Sequence, residues 1–169
     1  MNTLLKKAAL VAALATASLS AHAAEVDISV WADVDPTLSL MKADGTALDD
    51  SVKLSHDAAT GLLIPWSVPV RIHSNDTDKD IEVRLGFDPT LQRDTGGGTP
   101  IPLAVSLNGQ ALTTTVRTYD ANALFDGSLP GRSIPMALRI AQGNTTAIAD
   151  AGKYVGIVRL VMNQAAGTP

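Results

Sequence analysis

The sequence predicts an all-β sandwich. Three observations predict it: short runs in which apolar and polar residues alternate, turn residues at intervals of roughly 8–15 positions, and no apolar pattern of helical period long enough for a helix. A period of two is what a strand shows when it buries one face and wets the other. The chain has 169 residues, 46% of them hydrophobic, which suits a single core.

Residues 1–23 read as a secretory signal. Lys6 and Lys7 form its positive end, Ala8–Leu19 is an uncharged apolar run, and Ala21-His22-Ala23 is a small-x-small cleavage site. The exported chain is expected to begin at Ala24. The apolar run falls short of the ~20 residues of a bilayer-spanning helix, which argues against an anchor. No second long apolar run follows, so a soluble protein with no membrane insertion is expected.

Glu25–Asp35 is the first strand pattern. Val26, Ile28, Val30, Ala32 and Val34 share one face; Glu25, Asp27, Ser29, Trp31, Asp33 and Asp35 share the other. At ~3.3 Å per residue it would span roughly 33–36 Å, longer than an average strand. Pro36 follows, fixing its own φ and restricting the residue before it. Such a strand is either the first of its own domain or a cover for another chain.

The expected body then runs through Thr37–Met41, the Ala43-Asp44-Gly45 turn, Ser51–Ser55, the Ala59-Thr60-Gly61 turn and Ser67–Ser74. Asn75–Lys79 is a polar turn before Asp80–Gly86, in which Ile81, Val83 and Leu85 face inward. Thr95–Pro100 is a glycine loop. Ile101–Leu107 and Gln110–Thr118 flank Asn108-Gly109, a strong hairpin signal. Ala121–Leu124 has room for one helical turn. Ile134–Ala141 alternates again, and Lys153–Asn163 is the last strand. Pro69, Pro102 and Pro135 fall near the starts of runs or at edges, where a missing amide is tolerable. In the last strand Tyr154, Gly156, Val158, Leu160 and Met162 share one face, while the opposite face is also largely apolar, as in a strand buried among others. An immunoglobulin-like sandwich needs one more edge strand here, and the few residues after Met162 do not supply it.

Charge and composition exclude several functions. The 13 Lys and Arg, less the two leader lysines, face 17 Asp and Glu, a formal charge of −6. Nothing basic clusters, so no nucleic-acid partner is expected. Cysteine is absent, which removes thiol chemistry and leaves stability to core packing or to another chain. Asp76-Thr77-Asp78-Lys79-Asp80 begins like a calcium loop but lacks the sixth-position glycine and the terminal glutamate, so no metal site is expected. Gly96-Gly97-Gly98 opens no helix and binds no phosphate. His56 and His73 have no partner nucleophile in the sequence pattern, so no catalytic residue and no cofactor are expected. Trp31 and Trp66 suit either a subunit contact or an aromatic platform for sugar.

Val34-Asp35-Pro36-Thr37, the Ala43–Leu48 turn, Ile72-His73-Ser74-Asn75-Asp76 and Tyr154-x-Gly156-x-Val158-x-Leu160-Val161-Met162 together resemble the class 5 (alternate chaperone-usher, alpha-type) fimbrial major subunits. That family includes colonisation-factor pilins and the cable pilin. The resemblance spans essentially the whole exported chain. It implies an incomplete immunoglobulin-like β-sandwich completed by a donor strand from a neighbouring subunit. Residues 1–23 would be the signal peptide, 24–35 the donor-strand extension and 36–169 the pilin body. Val26, Ile28, Val30, Ala32 and Val34 would be the inserted side chains and Pro36 the hinge. Tyr154, Gly156, Val158, Leu160 and Met162 would line the acceptor groove, filled first by a periplasmic chaperone and then, at an outer-membrane usher, by the next subunit. The implied product is an extracellular homopolymer, a fimbria with a tip adhesin subunit, serving adhesion. The runner-up is an exported carbohydrate-binding sandwich or a minor or tip adhesin subunit.

Elementary energetics agrees with strand exchange. Burying four Val or Ile side chains contributes about 1.5–3 kcal/mol each, roughly 6–12 kcal/mol together, comparable with the ~5–15 kcal/mol that holds an ordinary domain folded.

Overall fold

The computed structural model describes residues 38–166; the assignments of signal peptide, donor strand and Pro36 lie outside them. In chain order the elements are β1 (Leu38–Lys42), β2 (His56–Asp57), β3 (Leu62–Leu63), β4 (Trp66–Ser74), β5 (Ile81–Leu85), β6 (Thr90–Arg93), β7 (Ile101–Leu107), β8 (Gln110–Leu112), β9 (Arg117–Tyr119), α1 (Ala121–Leu124), β10 (Met136–Gln142), β11 (Tyr154–Val155) and β12 (Leu160–Gln164).

Alternation produces the sandwich. In β4 the side chains of Val70 and Ile72 are fully buried, as are Ile81, Val83 and Leu85 in β5 and Val105 and Leu107 in β7. These faces meet in one core together with Leu112, Leu124, Met136 and Leu138. One sheet has seven strands in the order β1-β4-β10-β7-β6-β11, with β8 also on β7; the other has three, β12-β5-β9. A small β2-β3 hairpin stands apart. The registers define two ends. Leu38 pairs with Ser74 and Gln164 with Ile81 at the lower end, whereas Trp66 pairs with Ile140 and Leu160 with Leu85 at the upper end.

Turn chemistry works as the residue types dictate. Asn108 (φ 51°) and Gly109 (φ 75°) both take the left-handed conformation, and Leu107 pairs with Gln110 across them, the two-residue hairpin that Asn-Gly favours. The prolines spare the ladders. Pro69 sits inside β4, but its carbonyl accepts from Ala43 N (2.8 Å) just beyond the last β1 pair, Lys42 with Val70. The missing amide therefore faces the side where the ladder has already ended. Pro102 does the same beside Gly143 (2.7 Å), past the end of β10.

Several expectations are corrected. Ser51–Ser55 is not a strand; its neighbours form the β2-β3 hairpin instead, because Asp57 accepts from Ala59 N (3.0 Å) and Thr60 Oγ1 (2.8 Å) and Gly61 adopts φ +72°. Thr90–Arg93, where no strand is expected, is β6. Gln110–Thr118 divides into β8 and β9 because the chain changes sheets there: Thr113 O, between the two, accepts from Leu85 N of the opposite sheet (2.7 Å). Ala121–Leu124 is the single helical turn. Asp120 caps it by accepting from Ala123 N, and Asp80 accepts from Ala121 N.

The predicted last strand, Lys153–Asn163, is also divided. Tyr154–Val155 pairs with β6 in the seven-stranded sheet and Leu160–Gln164 with β5 in the other. Gly156 permits the departure. A side chain there would place its Cβ 2.3 Å from Thr90 O, so only glycine lies this close to β6. Three residues later Arg159 O accepts from Gly86 N (2.8 Å), beside β5. The doubly apolar pattern is therefore not that of a central strand: Val155 and Ile157 are 43% and 67% exposed.

Candidate functional site

The two long sides of the sandwich differ. On one side the sheets are sewn together by the β8-β9 crossing and by Tyr119 of β9, whose hydroxyl donates to Leu107 O of β7 (3.1 Å). On the other side, β1 is the edge of the seven-stranded sheet and β12 the edge of the three-stranded one. No backbone hydrogen bond joins β1 to β12 among the described residues. Two facing sheet edges, neither paired with a further strand among the described residues, make a template for another strand.

The gap is lined by apolar side chains that the core leaves half-buried. Leu38 and Leu40 of β1 stand opposite Ser74 and Ile72; Leu160 and Met162 of β12 stand opposite Leu85 and Val83. Val158 continues the β12 wall. Above Lys42 the β1 wall turns away, while β4 runs on through Val68 and Trp66, again half-buried against the core. The lower end is tied shut. Gln164 of β12 donates through Nε2 to Ser74 Oγ of β4 (2.8 Å). The result is a groove tied at its lower end and, among the described residues, crossed by no such tie at its upper end, with fully buried Val70, Ile72, Val83 and Leu85 beneath it.

Of the five groove residues expected from the sequence, the structure brings three together. Val158, Leu160 and Met162 lie along the gap, whereas Tyr154 and Gly156 lie beside β6, and Tyr154 OH donates to Asp150 O. The opposite wall, Leu38 and Leu40, was visible only as local alternation; which edge it would form depends on its pairing with β4. The same holds for Gln164, whose amide closes the groove.

The other candidates do not assemble into a reactive site. His56 is exposed in β2; His73 is in β4, opposite Ser39 of β1. Burial, then Arg132 and Arg71, push the His73 imidazole below its ordinary pKa and favour the neutral ring. His73 Nε2 and Arg71 Nε are buried without a hydrogen-bond partner among the described residues. Asp76 bonds within its own turn and pairs with Lys79 (3.5 Å), and among the described residues no three His, Cys, Asp or Glu side chains gather to hold a metal. Trp66 packs against the core instead of standing open as a platform.

Comparison with known proteins gives a consistent picture. A family model described as the CS1 type fimbrial major subunit matches residues 24–163. A CFA/I fimbrial subunit of Escherichia coli O78:H11 (strain H10407 / ETEC) is 37% identical over 149 residues, 86% of this chain and 88% of that one. A CS1 fimbrial subunit of Escherichia coli is 34% identical over 167 residues, 95% and 98% of the two chains. The solved structure of the CooA pilin subunit from enterotoxigenic Escherichia coli superposes with a TM-score of 0.70 at 30% identity, covering 79% of this chain and 90% of that one. The sandwich is accordingly immunoglobulin-like and short of one strand.

Proposed function

The chain belongs to the CS1 type fimbrial major subunit family and is a major pilin of extracellular fimbriae, and on that premise we propose that its polymer forms by strand exchange into the β1-β12 groove. Residues 24–35 of one subunit are the donor and residues 36–169 of the next the acceptor, with Val26, Ile28, Val30, Ala32 and Val34 as the inserted side chains and Pro36 as the joint. Val158, Leu160 and Met162 form one wall; Leu38 and Leu40 form the other.

The observation that carries this reading is a match of length and period. Between Ser74 and Trp66, β4 presents five inward positions below and beyond the gap: Ser74, Ile72, Val70, Val68 and Trp66. They span eight residue steps, about 26 Å. The extension carries five apolar residues at the same period over the same eight steps, from Val26 to Val34. Main-chain pairing with alternate side chains in pockets is strand addition. Until that strand arrives, an exported groove of this kind needs a periplasmic chaperone, and an outer-membrane usher then presents the next extension. A tip adhesin would end the filament. The role is structural, without a catalytic site.

The test compares residues 36–169 alone with the same body carrying residues 25–35 at its C-terminus through a short flexible linker. The expected outcome is a monomer that melts tens of degrees higher when the extension is attached. Equal melting of two monomers would show the body to be complete already and would end the strand-exchange reading.

A further inference from the structure

The exposed apolar side chains are not spread evenly. Of the six large ones exposed among the described residues, Ile64, Phe87, Val155 and Ile157 stand at the upper end, Val116 stands on the β8-β9 crossing, and only Leu129 stands at the lower end. Phe87 follows β5; Val155, Ile157 and Arg159 alternate along the segment that crosses from β6 to β5. The Arg159 guanidinium lies over the Phe87 ring, 5.7 Å from its centre. Exposed apolar side chains gathered at one pole mark an interaction surface.

Geometry names the occupant, granted the strand-exchange reading on which this inference rests. An inserted extension continues into its own folded body, so its Val34 end must leave the groove where the groove is open. The Gln164–Ser74 tie closes the lower end, and the exit is therefore the upper one. Four residue steps separate Val34 from Leu38, at most about 14 Å of chain. Leu38 lies at the lower end of its body, opposite Ser74. The lower end of the donor subunit is thus held against the upper end of the acceptor. That lower end carries Leu129, 38% exposed, on the loop whose Gly131 O accepts from Ser74 N, and Asp78 on the β4-β5 turn. Asp78 and Arg159 form no ion pairs among the described residues.

We propose that the upper-end patch of Phe87, Val155 and Ile157, with Arg159 beside it, is a second interface between consecutive copies of this chain, taking Leu129 and the Asp78 turn of the following subunit. Strand insertion links the subunits; this contact sets the angle between them and so the stiffness of the filament. It is heterologous and does not close, as a filament requires.

The experiment produces full-length fimbriae with their own assembly machinery and reads two properties. The detergent- and heat-resistant oligomer ladder on a gel reports strand insertion; the persistence length in electron micrographs reports the contact between bodies. Ile157→Asp alters a side chain that is 67% exposed, so the subunit is expected to fold and the ladder to be unchanged. Persistence length is expected to fall several-fold. Leu129→Lys alone should lower it similarly, and the two changes together, now of opposite charge, should restore much of it. Ile157→Asp filaments as stiff as the parent would overturn the inference, as would a double variant no stiffer than either single one. Loss of the ladder with Ile157→Asp would also overturn it, placing Ile157 in strand uptake. Failure of the underlying reading looks different: Ile28→Asp would then leave ladder and filament yield normal.

Discussion

His73 illustrates how a single side chain carries a consequence that its sequence neighbours do not announce. Its imidazole is half-buried under the influence of Arg132 and Arg71, and all three effects oppose protonation, desolvation most strongly. The folded chain therefore takes up this proton less readily than the unfolded one. The sign follows from linkage: above the ordinary imidazole value of about 6.5 neither state is charged and nothing is lost, while below it the unfolded state gains a proton that the folded state resists. Stability is expected to fall as pH drops from 7.5 to 5.5. Asp44, Asp57 and Asp126, whose carboxylates are held below their ordinary range chiefly by hydrogen bonds, stay ionised throughout that window. Melting curves across it should show a flatter pH dependence for His73→Gln than for the parent. An unchanged slope would mean that another group is responsible.

At the scale of elements, the crossing between β11 and β12 is the feature on which the site depends. It moves the chain from one sheet to the other, exposes Val155 and Ile157 on the way, and delivers Leu160 and Met162 to the groove edge. Gly156 makes the departure possible, because a methyl group there meets the Thr90 carbonyl at 2.3 Å. Gly156→Ala forces a backbone shift and is expected to cost about 1–3 kcal/mol, in the range of overpacked sites. Chemical denaturation checks it, and a midpoint equal to the parent's would show that β6 yields freely. The alternation in 154–162 was legible in the sequence, and so was Gly156 as a member of it. The change of sheet was not, since period-two patterning says which residues share a face but not which partner strand they face. The β2-β3 hairpin was hidden for a related reason: Asp57 builds its turn from its own side chain, and the strands are too short to alternate.

At the largest scale, the decisive property of the described residues is that one long side of the sandwich is sewn together while no backbone bond joins β1 to β12 on the other. A charge placed on the open side lies in apolar surroundings without a partner, at a cost that a strand seated in the groove cannot offset. If strand exchange proceeds as proposed, Leu160→Asp is expected to abolish capture by the proposed periplasmic chaperone as well as polymerisation, whereas Ile28→Asp is expected to abolish polymerisation alone. Co-purification with the chaperone measures the difference. A soluble chaperone complex of the Leu160→Asp variant, recovered at parental yield, would remove β12 from the acceptor wall. Chaperone capture lost in Ile28→Asp would mean that the extension is part of the body.

The sequence by itself determined what is local. Alternation marked β4, β5, β7 and β10 within a residue or two, Asn108-Gly109 set its hairpin through two left-handed backbones, and the motifs around Pro36 and Met162 carried the family resemblance. Tertiary structure alone decided which of the described strands lie at the edges of the sheets. That outcome rests on long-range pairings, β12 with β5 and β1 with β4, and on one amide, Gln164, reaching across to Ser74. A strand's own residues state that one of its faces seeks cover. Whether that cover comes from the same chain is a matter of how many strands reach each edge, and only the assembled sheets count them.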